Sequence, residues 1–222
     1  SYRWTVVLAE APLQPVPGRE RTCLWQAVRC LMNQIMRRLS PLYEKSRAFR
    51  DRVAEGRLHM STVVLIRAGC TDYDEQHRLI GTLDMPVNQK GQEQIREAIR
   101  FLRDQKINPQ AIYTSPDDPA SGTAHAIGQA FPSSKVRELD ELRNVNQGLW
   151  QGLTESDVVK RFPRLFRNSR DSGVTICPPE GETLLDACAR LSRALAKAIR
   201  KHDVLAVVAC EPLATVIRCT LQ

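Results

Sequence analysis

Apolar residues recur along the chain in two rhythms. Between about residues 20 and 55 they return every three or four positions, at Leu24, Val28, Leu31, Ile35, Leu39 and Leu42, and Phe49 and Val53 continue the stripe. That period is helical. Ser40-Pro41 interrupts it: serine suits a helix N-cap and proline the first helical position, so two helices are expected to meet there. Gly56 fits a C-terminal stop. From residue 62 onward the rhythm changes to short β-branched runs separated by helical stretches. Strands are expected at 62–67, 111–114, 136–139 and 204–209, and helices at 88–104, 120–130, 154–162, 182–201 and 212–221. Thr154 with Asp157 reads as a capping box, and Asn88 as an N-cap. Residues 2–9 are β-branched and aromatic-rich and read as one more strand; Pro12, Pro15, Pro17 and Gly18 then mark a linker.

Runs such as TVVLI and VLAVV are apolar on both faces, as strands covered by helices on both faces require. The expected fold is therefore α/β: an open, mostly parallel sheet with helices on both faces and right-handed crossovers, preceded by an N-terminal strand and helical extension. Two parts follow: residues 1–58 as strand, linker and basic helical extension, and residues 59–222 as the α/β domain. In such sheets ligands sit beyond the carboxyl ends of the strands, which directs attention to 67–74, 114–123 and 209–213.

Composition adds constraints. With 222 residues, 42% hydrophobic and 26% charged, the chain is an ordinary globular length and mixture. Of its net charge of +7, residues 19–58 supply +6, through ten Arg/Lys against four Asp/Glu. The basicity thus belongs to the extension. Seven cysteines, with no C-x-x-C pair, are read as free thiols in a reducing cytoplasm. The apolar runs are too short for a membrane span, and no basic-then-apolar leader opens the chain.

The loops at the expected ligand edge carry motifs. Residues 66–74 read IRAGCTDYD, 78–91 RLIGTLDMPVNQKG, 115–124 SPDDPASGTA, 142–152 LRNVNQGLWQG, 178–183 PPEGET and 207–212 VVACEP. Together they resemble, in order, the motifs of the histidine phosphatase superfamily, the phosphoglycerate mutase-like proteins: R-H-G-E-T-x-x-N, R-x-x-G-x-x-D-x-P-L-x-x-x-G, S-P-L-x-R-A-x-Q-T-A, L-R-E-x-x-x-G-x-W-E-G, P-x-G-E-S and A-H-G-G. The resemblance implies that family's fold and its chemistry, in which one histidine attacks phosphorus, two arginines and a second histidine hold the phosphate oxygens, and an acid protonates the leaving group.

Position by position, the resemblance places the first arginine at Arg67 and Gly69 and Thr71 in their family roles. Ala68 stands for the nucleophilic histidine, Cys70 and Asp74 for the glutamate and asparagine that follow, and Pro119 for the second arginine. Asn144 stands for the proton-donating glutamate and Cys210, next to Glu211, for the second histidine. Scaffold positions such as Arg78, Gly81, Asp84, Pro86, Gly91, Gly148, Trp150 and Gly152 are kept. This pattern is expected of a pseudoenzyme: a histidine phosphatase fold without intact catalytic residues, with a structural, regulatory or partner-binding role.

Alternatives remain open. Cys210, ahead of a helix, is a candidate nucleophile, although no C-x5-R follows it. Asp72, Asp74, Asp117, Asp118 and Glu211 are candidate oxygen ligands for Mg²⁺ or Ca²⁺, with solvated surface acids the plainer reading; no metal and no cofactor is assigned. Arg67, Thr71 and Arg78 are candidate ligand contacts, and Arg67 is expected rather to pair with one of the new acids. The basic stretch 19–58 is a candidate module for an anionic partner, with packing on the domain preferred and nucleic acid placed last. The expected partner is a protein or a neighbouring domain of a longer chain, and a homo-oligomer stays open. Finally, the family usually continues past the helix after the second histidine, often with a final strand; strand 2–9 is expected to fill the corresponding sheet edge, in the same chain or in a neighbour.

Overall fold

A computed structural model describes residues 4–9, 61–165 and 177–221. The two helices expected between 20 and 55, with the Ser40-Pro41 junction and the Gly56 stop, lie outside the described residues. Five strands, β1 (Trp4–Ala9), β2 (Ser61–Arg67), β3 (Ala111–Thr114), β4 (Lys135–Glu138) and β5 (Val204–Ala209), form one sheet in the order β1-β2-β5-β3-β4. Every pairing is parallel. The helices are α1 (Asp72–Glu75), α2 (Gln89–Asp104), α3 (Ala120–Ala130), α4 (Glu155–Arg161), α5 (Leu184–Ile199) and α6 (Leu213–Leu221).

Alternation along each strand divides the core in two. Val64, Ile66, Ile112, Ala206 and Val208 pack under α2 and α3, through Ile95, Leu102, Ala124 and Ile127. Val63, Leu65, Tyr113, Leu205 and Val207 pack under α5 and α6, through Leu191, Leu195, Leu213 and Ile217. Connections that run from β2 toward β4 use the first face, and the return from β4 to β5 uses the second. Opposite directions on opposite faces give the crossovers between β2 and β5 one hand, as twisted strands feeding right-handed helices require.

Caps set the helix starts. Asn88 accepts from the Gly91 N–H ahead of α2. The Thr154–Asp157 capping box opens α4 as expected, and Thr183 with Asp186 opens α5 in the same way, so that helix starts at Leu184 rather than at 182. Strand β4 begins one residue earlier than its apolar pattern suggested, at Lys135. The expected edge placement of strand 2–9 holds: β1 pairs with β2 from Trp4↔Ser61 to Ala9↔Ile66.

Leu191 is fully buried and Leu185, six residues earlier on α5, is 37% exposed. Leu191→Ala is therefore expected to cost about 2–5 kcal/mol in urea unfolding, and Leu185→Ala within about 0.5 kcal/mol of zero. Equal losses would contradict this assignment of the α5 face.

Candidate functional site

The carboxyl ends of β2, β5 and β3 lie side by side at one edge of the sheet, where a crevice is expected, and the loops that leave them carry the residues singled out above. Arg67 closes β2 and is exposed. Ala68 continues the strand, its N–H donating to the Ala209 carbonyl at 3.0 Å, and its methyl packs on the α2–α3 core together with Val87 and Cys210. Gly69 is buried where a side chain would press on Val87 (2.9 Å), and the Gly91 backbone faces Cys70 so closely that a Cβ has no room. Glycine at both positions lets the first loop lie flat on the start of α2.

Two side chains knit the crevice loops together. The Thr123 hydroxyl, in α3, accepts from the Gly69 N–H at 3.0 Å and donates to the Pro119 carbonyl at 2.7 Å. Asn144 is buried between three segments. Its Nδ2 donates to the Gly81 carbonyl (3.0 Å) and the Glu211 carbonyl (2.9 Å), while its Oδ1 accepts from the Leu213 N–H (3.3 Å) at the start of α6. Both amide hydrogens and the carbonyl oxygen are thus spent on backbone partners. A carboxylate here would turn two attractions into two oxygen–oxygen repulsions.

A second shell holds Asn144 in place. Arg190, on α5, grips the Glu182 carboxylate with Nε (3.1 Å) and NH2 (2.7 Å) and donates to the Glu141 carbonyl and to the Asn144 carbonyl (3.1 Å). Glu182 in turn accepts from the Asn146 N–H at 2.9 Å. The motif fragments LRN and GET signalled Arg143 and Glu182 but not Arg190, which lies eight residues beyond Glu182 and outside any motif. Arg143 makes a bidentate pair with Asp117 (2.8 and 2.7 Å) and also reaches Asp140 (3.0 Å), pinning the loop after β3.

Several expectations are corrected here. Arg67 forms no ion pair with a described acid. Asp74 is instead the N3 residue of a capping box: its Oδ2 accepts from the Thr71 N–H (2.8 Å) and hydroxyl (2.9 Å). Asp118 accepts from the Gly122 N–H (2.7 Å), and Glu211 from the Thr215 N–H (3.2 Å) and hydroxyl (2.8 Å). The acids face nearby backbone donors, which are closer in sequence and already oriented, rather than one another or Arg67. Among the described residues no group of three or more His, Cys, Asp or Glu is placed to hold a metal ion, so the five acids do not converge as ligands. Thr71 is buried and spent on its cap. Arg78 donates to the Gly152 carbonyl at 2.7 Å and to Gln76 at 2.9 Å, and lies over the Tyr73 ring, bracing a loop rather than facing a ligand.

Burial pushes Cys210 up to about 12, with Asp74 adding to the rise and Arg67 and the Ala120 N–H opposing it weakly. Burial also raises Cys70, and again Asp74 adds to it. Pro119 is buried ahead of α3 and supplies no charge. Of the described histidines, His77 follows α1, His125 is exposed on α3 and His202 precedes β5; none stands at the carboxyl end of β2 or β5. Among the described residues, Arg67 ends β2 beside Ala68, and Cys210 follows the end of the neighbouring β5.

This arrangement has relatives. The profile of the histidine phosphatase superfamily (branch 1) matches residues 63–222. A bifunctional protein of Mycobacterium tuberculosis is 29% identical over 164 residues, which cover 72% of this chain and 44% of that protein. An uncharacterized phosphatase of Bacillus subtilis is 30% identical over 138 residues, 62% of this chain and 64% of its own. Among solved structures, mycobacterial glucosyl-3-phosphoglycerate phosphatase with inorganic phosphate superposes with a TM-score of 0.58 at 25% identity, covering 69% of this chain and 75% of that one. The chain spans less than half the length of the first curated relatives it matches.

Two outcomes follow. Asn144→Asp is expected to destabilise the fold at pH 7 by about 2–3 kcal/mol, since a carboxylate leaves buried carbonyls unpaired. Its folded-state pKa would be raised, so the penalty is full above that value and shrinks as pH falls through it; equal losses in urea unfolding at pH 4.5 and pH 7 would contradict the bonding described. In iodoacetamide labelling at pH 7.5, followed by peptide mass mapping, exposed Cys177 should react well before Cys210. Preferential labelling of Cys210 would contradict its burial as a thiol.

Proposed function

This chain belongs to branch 1 of the histidine phosphatase superfamily, and we propose that it is a non-catalytic member, a pseudophosphatase that uses the family scaffold for a structural, regulatory or partner-binding role. The observation that carries the proposal is Asn144. At the position that resembles the family's proton donor stands an amide with no proton to give, and every bonding group of that amide is committed to the backbone. The neighbouring losses act in the same direction. Ala68 offers no nucleophile, Pro119 no cation and Cys210 no imidazole, and a phosphate dianion would meet Arg67 alone where the family supplies two arginines and two histidines. Loss of a single nucleophile or base already costs on the order of a millionfold in turnover.

A rebuilt enzyme is the second reading, with Cys210 as its nucleophile. Its packing on the α2–α3 core argues against it, because partial burial raises a thiol and so disfavours the thiolate that would attack. An acid-held metal is disfavoured by the commitment of Asp74, Asp118 and Glu211 to helix caps and turns. The basic-module reading rests on residues 19–58, outside the described residues.

Turnover of an aryl phosphate and a panel of small phosphoesters, with and without Mg²⁺, tests the proposal. Wild type, Arg67→Ala and Cys210→Ser are purified side by side. The expected result is no turnover above blank in all three. Wild-type turnover that vanishes in either variant would overturn the proposal.

A further inference from the structure

We propose that the outer edge of β2 is a strand-acceptor site, filled by the chain's own β1 and able to take the same extended segment from a second copy of the chain. The inference is independent of the catalytic reading above.

The two sides of the sheet are built differently. On one side, β4 is a four-residue strand, and Lys135, Arg137 and Glu138 are exposed along it. Short length and charge are the usual protections of a strand that ends a sheet. On the other side, β2 has seven residues, of which Val63 and Val64 are fully buried and Ile66 nearly so, and no charge appears before Arg67. It contains no proline and pairs with β5 without interruption from Thr62 to Arg67. Such a strand is built for the interior of a sheet. Left uncovered, its outer row of N–H and C=O groups would be an unprotected template for another chain.

What covers it is β1, in parallel register over six residues. Parallel neighbours need a crossover, not a hairpin, and here residues 10–60 separate the two strands in sequence. The pairing therefore does not depend on a tight turn. The recognition is main-chain hydrogen bonding to an extended, β-branched segment, WTVVLA in this chain, which is the chemistry of strand addition. Nothing in that chemistry requires the segment to come from the same polypeptide. Covalent tethering raises its local concentration, so the chain's own strand wins unless it is displaced or another copy is concentrated.

The test opens the site in the full chain. Adjacent residues of a strand direct their N–H groups to opposite sides, so Val6→Pro with Val7→Pro removes one ladder bond whichever residue faces β2. Circular dichroism checks folding. A fluorescent peptide of residues 1–11 is then titrated into the double variant and into wild type, next to a peptide carrying the same two prolines. The expected result is saturable binding of one native peptide per double-variant chain, at least about tenfold weaker binding to wild type, and none of the proline peptide. Native and proline peptides binding alike, or a folded double variant that takes up neither, would overturn the proposal. If the double variant does not fold, a protease site placed between Pro12 and Pro17 in an otherwise native chain gives the same reading. After cleavage, the labelled native peptide should exchange with the released segment and the proline peptide should not; no exchange would overturn it. Light scattering on concentrated wild-type chains, next to the double variant, reads the second-copy form directly, because a reciprocal exchange keeps both β2 edges filled. A dimer of wild type that the double variant does not form is expected, and monomers in both would overturn that part.

Discussion

The Asn144 amide is the bond set on which the crevice depends. It draws the turn at Gly81, the exit of β5 at Glu211 and the start of α6 at Leu213 onto one side chain. Those segments lie 63 to 69 residues away from it in sequence. Without the amide, two carbonyls and one N–H would be left in a space that water reaches poorly, and each unpaired group is costly. The Arg190–Glu182 pair and the Asn146 N–H hold the loop that carries Asn144, so the polar network is closed on all sides. A closed network of this kind stabilises only when every member is satisfied. It therefore ties three loops of this sheet edge to one side chain.

The same economy runs through the crevice acids. Asp74, Asp118 and Glu211 each bond to a backbone N–H three or four residues away. Asp117 is answered by Arg143. Arg67 is left as a cation with no described acid in contact. Ala68 and Cys210, next to it at the strand ends, pack with Val87 on the α2–α3 core. Among the described residues of this edge, Arg143 is committed to Asp117 and Asp140.

Much of the fold was legible because its signals are local. TVVLI and VLAVV read as interior strands without help from tertiary structure, and Asn88 and Thr154 announce their helices through side chains that bond within three residues. The start of β4 was shifted by one because Lys135 is a charged residue on an outer strand, where burial exerts no selection on its polarity. Helix α1 was not foreseen: four residues hold no apolar stripe, and only the Thr71–Asp74 box marks it. At the site, the motif order placed the right residues in one crevice, but the direction of each carboxylate was not legible. The new acids outnumber Arg67 and so suggested a pair, yet Asp74, Asp118 and Glu211 take aligned backbone N–H groups instead. Arg190 was invisible for a related reason, since its partners come from loops that only the folded sheet brings together.

A site without phosphoryl recognition, as proposed, should not take up orthovanadate, which imitates the transferring group, in isothermal titration calorimetry. Wild type and Arg67→Ala are compared at equal concentration. No saturable heat is expected with either protein in the micromolar to low-millimolar range, a window of about 4–8 kcal/mol of binding free energy. Saturable binding by wild type that Arg67→Ala abolishes would contradict it, because it would show that the single guanidinium still organises a working phosphate site.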